Sequence, residues 1–132
     1  MTHRVIYVLD TSAILAGYPL SQVTPQVTTS SVVKEVLDPR SREILETSLS
    51  IGRLKIIDPD GRWLREASII ARRVGVEDYL SPTDISVLAL SLKLKSEGYL
   101  PTVLTDDYRL QRTLKAVGIN FKPVKTWGID RA

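Results

Sequence analysis

The run Val5-Ile6-Tyr7-Val8-Leu9 is continuously apolar rather than alternating. Unbroken β-branched and aromatic runs fit strands covered on both faces, as in a parallel sheet. With Arg4 in front of it, this run predicts a first strand over 4–9 that ends at Asp10-Thr11-Ser12, a cap for a short helix through Ala16. Gly17 closes that helix. A short strand follows near 26–29, then a helix opened by Ser30 or Ser31 through Val32, Val33, Val36 and Leu37, broken at Asp38-Pro39. Ser41 to Ile51 reads as a helix and Leu54 to Ile57 as a strand. Trp63, Ala67, Ile70 and Val74 recur at helical spacing and predict an amphipathic helix stopped by Gly75. Ser81-Pro82-Thr83-Asp84 is a strong helix start, and Ile85 to Leu90 is apolar nearly all round, so that helix, ending by Gly98, should be the most buried. A strand over 102–105, a helix over 106–117 with Leu110, Leu114 and Val117 inward, and a strand over 120–124 complete the pattern. Strand and helix alternate throughout. The expected fold class is α/β: a doubly wound, largely parallel sheet with helices on both faces, in one domain over 1–132.

Composition narrows the chemistry. No apolar run approaches the ~18–20 residues of a membrane span, and the apolar N-terminal stretch is interrupted by Asp10 too early for a secretory signal. The chain is expected to be cytoplasmic, with no membrane partner. It has no cysteine and one histidine, His3, which excludes disulfides, thiolate zinc and cysteine nucleophiles and argues against a histidine-built site. The formal charge is only +3, but Tyr108 to Ile129 carries Arg109, Arg112, Lys115, Lys122 and Lys125 without one acid. Arg62 to Arg73 holds four arginines against Glu66. Such stretches are ordinarily solvated faces. Basic surface framing a carboxylate cluster suits a polyanion better, since acids alone repel one.

Two strands end in acids: Leu9 is followed by Asp10-Thr11-Ser12, and Leu104 by Thr105-Asp106-Asp107. In open parallel sheets ligands bind beyond the carboxyl ends of the strands. Asp84, opening the buried helix, can reach the same rim, and Glu35 must face solvent or a polar partner. Each acid also has an ordinary role: Asp10 and Asp106 as N-caps, Asp84 as the capping-box partner of Ser81, Glu35 as an exposed helical residue. Taken together, convergent carboxylates need a cation or raised pKa values. An all-oxygen donor set selects Mg²⁺ or Mn²⁺. Such a site suits phosphodiester hydrolysis, in which an ion lowers the pKa of a bound water and aligns it.

Asp10-Thr11-Ser12 after a strand, Glu35 within VVKEVLD, Ser81-Pro82-Thr83-Asp84 and Thr105-Asp106-Asp107-Tyr108 together resemble the PIN-domain nucleases in number, order and spacing. The resemblance implies a doubly wound α/β fold that cleaves single-stranded RNA with Mg²⁺ or Mn²⁺. LSPTDISVLAL, VLTDDYRLQ and VGINFKPVKTWGI are similar to the Nob-type PIN endonucleases, which mature the 3′ end of small-subunit ribosomal RNA. That likeness implies a small-subunit rRNA precursor or pre-ribosomal subunit as partner. It implies Asp10, Glu35, Asp84 and Asp106 as catalytic metal ligands, Asp107 as an auxiliary ligand, and Ser12 and Thr105 as hydroxyls orienting them. Arg40 and Arg42, on a loop after the Glu35 helix, and Arg109 and Arg112 are weaker candidates for RNA contact. Tyr108 is expected to pack or cap, Trp63 to pack in the core, and Trp127 to pack the tail. Nob-type proteins usually continue into a cysteine-bearing zinc ribbon, for which these 132 residues hold no ligands.

Three other readings compete. A toxin-type PIN ribonuclease, inhibited by a small antitoxin, would use the same four acids. Transfer through an aspartyl phosphate would want a second carboxylate two residues after Asp10, where Ser12 stands, and a lysine near the last acids. A degenerate PIN scaffold would have lost acids that are all present here.

Overall fold

The computed structural model describes residues 4–124. Strand β1 (Val5–Leu9) leads through Asp10 into helix α1 (Thr11–Leu15), then a 3-10 turn over Tyr18–Leu20 and strand β2 (Gln26–Thr28). Helices α2 (Ser30–Glu35) and α3 (Pro39–Ser50) precede strand β3 (Leu54–Ile56). Helix α4 (Gly61–Val74), a 3-10 turn over Glu77–Tyr79 and helix α5 (Pro82–Ser96) lead to strand β4 (Leu100–Leu104). Helix α6 (Tyr108–Ala116) and strand β5 (Asn120–Lys122) close the described chain. The strands form one sheet in the order β3-β2-β1-β4-β5. Every pairing is parallel, and β1 meets β4 from Val5↔Leu100 to Leu9↔Leu104. The expected fold class is the one observed. The chain winds outward from β1 to one edge, then crosses to β4 on the other side, so the switch point lies between β1 and β4.

Burial follows the apolar pattern. Val8, Leu9, Val103 and Leu104 are buried on the two central strands, as continuous apolar runs in a two-sided sheet require. Helix α5 buries Ser86 through Ser91 without interruption. Each of its large apolar side chains contributes roughly 1.5–3 kcal/mol by leaving water, and its buried Ser91 hydroxyl returns to the Val87 carbonyl at 2.8 Å. Helix α4 turns Ala67 and Ala71 inward, with Trp63 half-buried against the core and the Arg62 guanidinium 4.9 Å over its ring. Gly75 ends α4 at φ 85°, a conformation that side chains resist, so its N–H can reach the carbonyls of Ala71 and Arg72.

Several boundaries differ from the sequence pattern for local reasons. Helix α2 stops at Glu35 rather than Leu37: Val36 turns extended, and Leu37 is 80% exposed. Asp38 caps α3, which starts at Pro39 because a proline at the first helical position gives up no hydrogen bond. Arg42 therefore lies on α3, not on a loop, and its guanidinium donates to the carbonyls of Val33 and Val36 at 3.1 and 3.2 Å. It also meets Glu46 at 3.5 Å. It thereby gives a donor to the Val36 carbonyl just past α2 and a second donor to the Val33 carbonyl, which also accepts the Val36 N–H. Strand β4 begins two residues before the expected Thr102, and α6 is capped by Asp107 rather than Asp106. Tyr108, expected to pack or cap, is 68% exposed. His3 and Trp127 lie outside the described residues.

Candidate active site

Asp10 occupies the turn where β1 becomes α1. Its backbone N–H reaches the Leu104 carbonyl of β4 at 3.3 Å, so Asp10 and Thr105 stand side by side beyond the paired strand ends. Oδ1 of Asp10 accepts from the Ala13 N–H at 3.1 Å and from the Ser12 hydroxyl at 2.6 Å. The side chain is buried, and burial is the main force raising its pKa above the ordinary carboxylate value, with the charge of Asp84 adding to it. Hydrogen bonds from Ser12, Thr105 and Ala13 oppose that rise. Ser12 and Thr105 thus do to Asp10 what hydroxyls beside a carboxylate are expected to do.

Asp84 closes a capping box: its Oδ2 accepts the Ser81 N–H at 2.9 Å, while the Ser81 hydroxyl accepts the Asp84 N–H at 3.1 Å. Half-burial raises its pKa, the Ser81 hydrogen bonds lower it, and the charges of Asp107 and Glu35 raise it again. Asp84 is therefore the hub of the group, feeling Asp10 on one side and Asp107 and Glu35 on the other. Glu35 is exposed but held. Thr11 of α1 donates to its Oε1 at 2.7 Å, and Thr83 of α5 donates to its Oε2 at 2.8 Å. Those two threonines escape a reading confined to charged residues; their places within Asp-Thr-Ser and Ser-Pro-Thr-Asp were the available signal.

The two acids after β4 diverge. Asp107 caps α6, its Oδ1 accepting the N–H groups of Arg109 and Leu110 at 2.8 and 3.1 Å. The Thr105 hydroxyl accepts the Asp107 N–H at 3.0 Å, and Gln111 donates to the Thr105 carbonyl at 2.8 Å, fixing the turn. Asp106 instead accepts the Val124 N–H at 2.6 Å, across from the segment that follows β5. The arrangement brings Asp10, Glu35, Asp84 and Asp107 into one electrostatic neighbourhood and directs Asp106 toward the end of β5.

All of these donors are oxygens, the set that suits a hard divalent cation; burial is the main cause of the raised pKa values of Asp10 and Asp84, and the smaller repulsion among the acids that adds to it is what such a cation would relieve. Among the described residues, no three carboxylates converge tightly enough to share an ion as the side chains stand. The group lies on an open rim. A cavity of about 630 Å³ nearby, between Ser30, Asp58, Leu64 and Ile85, is lined by none of these five acids. An open rim can admit a polymer. Of the candidate arginines, Arg40, Arg109 and Arg112 are exposed, whereas Arg42 is engaged with α2. No described helix is long and apolar enough to cross a membrane.

Comparison with known proteins agrees with this geometry. Residues 7–94 match the family model described as the PIN domain of ribonuclease. The chain is 42% identical over 122 residues to the endoribonuclease Nob1 of Methanothermobacter thermautotrophicus, spanning 92% of this chain and 70% of that one. It is also 42% identical over 118 residues to ribonuclease VapC3 of Aeropyrum pernix, spanning 89% and 85%. A match to the 20S-pre-rRNA D-site endonuclease of Saccharomyces cerevisiae, 34% identical, covers 64% of this chain and 17% of that one. Among solved structures, a PilT N-terminus domain protein of Sulfolobus solfataricus superposes with a TM-score of 0.59 over 95% of this chain and 92% of its own, at 13% identity, a likeness of fold alone. With acids gathered at the switch point of a parallel sheet and a family match over most of its length, the chain belongs to the PIN-domain ribonucleases and is of Nob type.

Proposed function

We propose that the protein is a Mg²⁺- or Mn²⁺-dependent endoribonuclease that cleaves single-stranded RNA in the 3′-end maturation of small-subunit ribosomal RNA, in the cytoplasm. The observation that carries the reading is the coupling of Asp84 to Asp10, Glu35 and Asp107 at the carboxyl ends of β1 and β4 in a PIN-family chain. Asp10, Glu35, Asp84 and Asp107 would hold the ion, with Asp106 beside them fastening the segment after β5. When bound, the ion supplies charge neutralisation and lowers the pKa of a water. Ser12 and Thr105 hold the Asp10 carboxylate in its acceptor orientation, and Thr11 and Thr83 hold Glu35 between α1 and α5. The exposed guanidinium groups of Arg40, Arg109 and Arg112 offer phosphate contacts on the same molecule. The Nob1 names of several relatives support the ribosomal substrate.

The toxin-type reading has one specific support, the VapC3 relative, which matches over most of both chains. Under it the partner is a small antitoxin and the substrate a different cellular RNA. One experiment separates the two. The protein is incubated with Mn²⁺ and a short RNA spanning the 3′ end of its small-subunit rRNA precursor, beside an unrelated single-stranded RNA and an Asp84→Asn control. Cleavage at the mature end alone, lost in the control, supports the ribosomal reading. Equal cutting of both RNAs favours the toxin-type reading. No cutting of either RNA refutes the nuclease proposal.

A further inference from the structure

Two exposed tyrosines bracket the acid group. Tyr79 is 62% exposed in the 3-10 turn and lies two residues before Ser81, the cap of the helix that carries Asp84. Tyr108 is 68% exposed and directly follows Asp107. Arg109, the next residue after Tyr108, places its guanidinium carbon 4.5 Å from the centre of the Tyr79 ring. That cation–π contact ties the turn to the first residues of α6 and holds the Tyr79 ring before any ligand arrives. Neither tyrosine ring belongs to the buried core. Arg112, three residues after Arg109, is one helical turn further along α6 and also exposed.

A cation and two exposed aromatic rings carried next to Ser81-Pro82-Thr83-Asp84 and Asp107 have a clear chemical use. A strand laid with one phosphate at Asp84 and Asp107 carries its neighbouring nucleotides over this rim. Unpaired bases stack on tyrosine rings and guanidinium planes, whereas paired bases are already stacked on each other. We propose that Tyr79, Arg109 and Tyr108 form a stacking platform for the unpaired bases that flank the scissile phosphate. The inference rests on the nuclease reading and adds to it the groups that recognise the bases.

The test uses the full chain in EDTA and fluorescence anisotropy with two labelled probes: an eight-nucleotide single-stranded RNA and an abasic ribose-phosphate oligomer of the same length. The double variant Tyr79→Ala/Tyr108→Ala should bind the base-bearing RNA at least about 30-fold more weakly, each ring's lost base stacking being a factor of about 5 to 150. Its affinity for the abasic oligomer should be unchanged, and its melting temperature should fall by only about 2–4 °C, as expected for losing one exposed cation–π contact. Tyr79→Phe/Tyr108→Phe should restore RNA binding, since stacking needs the ring and not the hydroxyl. Wild-type affinity for RNA in the double alanine variant, or equal weakening toward both probes, overturns the platform while leaving the nuclease reading intact. A wild-type chain that binds neither probe, with or without Mn²⁺, overturns both.

Discussion

Replacing Asp10 by asparagine separates its two duties, because asparagine caps a helix as well as aspartate but carries no charge. Oδ1 of Asp10 serves the Ala13 N–H and the Ser12 hydroxyl, acceptor work that an amide oxygen can continue. What asparagine removes is a buried charge whose pKa is raised by burial and by Asp84. A carboxyl whose folded pKa lies above its unfolded value, near 3.8, stabilises the fold below that value. The contribution is lost as pH rises through the folded pKa. The melting temperature of Asp10→Asn relative to wild type, both in EDTA, should therefore climb as pH is raised from below 3.8 to neutrality. Asp10→Ala behaves differently. It loses the cap, at about 1 kcal/mol, and leaves hydroxyl donors without an acceptor at about 1 kcal/mol each, so a drop of roughly 1–3 kcal/mol is expected. For a chain of 132 residues that is a fall of about 3–12 °C in melting temperature. Both variants should lose cleavage. The assay is a circular-dichroism melt across pH with a parallel gel assay on labelled RNA. Equal destabilisation of the asparagine and alanine variants in EDTA at pH 7 would falsify the account of a strained buried charge. Cleavage by Asp10→Asn at the wild-type rate would remove Asp10 from the site.

The acids after β4 give a sharper contrast. Asp107→Asn should cut the cleavage rate by at least about 100-fold, as expected of a group that helps hold the ion. Asp106→Asn should act mainly on melting temperature, through the Val124 contact, and single-turnover rates that reverse this order refute the assignment. Thr83→Val takes one of two hydroxyls from Glu35 and should lower kcat about tenfold at unchanged KM; a rise in KM alone would count against a positioning role. Arg42→Ala should cost about 1 kcal/mol of stability, seen by urea melt, by removing the guanidinium donor from the Val36 carbonyl while Val33 keeps the Val36 N–H, with RNA affinity preserved. Arg112→Ala should lower the slope of log affinity against log salt by about 0.7 if its guanidinium meets a phosphate; an unchanged slope shows that it does not.

The sheet was legible because its signal is redundant. The Val5–Leu9 run, the apolar first half of α5 and the glycine stops each point to the same winding, and tertiary packing had only to agree with them. Boundaries slipped where a long-range partner decides them. Nothing in the sequence around Leu37 reveals that Arg42 will take the Val33 and Val36 carbonyls and end the helix early. The acid group was legible as residue types at strand ends, because parallel strands deliver their carboxyl ends to one edge. Which of Asp106 and Asp107 would cap α6 was not. That depends on Thr105 holding the Asp107 N–H and on Val124 reaching back to Asp106, and neither contact is local enough to be read from spacing. Tyr108 shows the same limit: beside a helix start it reads as packing, and only the surrounding surface makes it exposed.

Three of the acids also start helices: Asp10 caps α1, Asp84 completes the capping box of α5, and Asp107 caps α6. Each is thus satisfied by backbone N–H groups within its own turn. In zinc fingers the metal is the condition of folding, so an empty finger is a disordered one. Here the chain supplies its own counter-dipoles, and folding can run to completion on a ribosome or in a chelator before any ion arrives. Under the proposed metal dependence, loading is then a reversible event that follows folding. On that same proposal, starvation for divalent cations would leave a stock of intact, idle molecules that regain activity on resupply, rather than misfolded chains that must be made again.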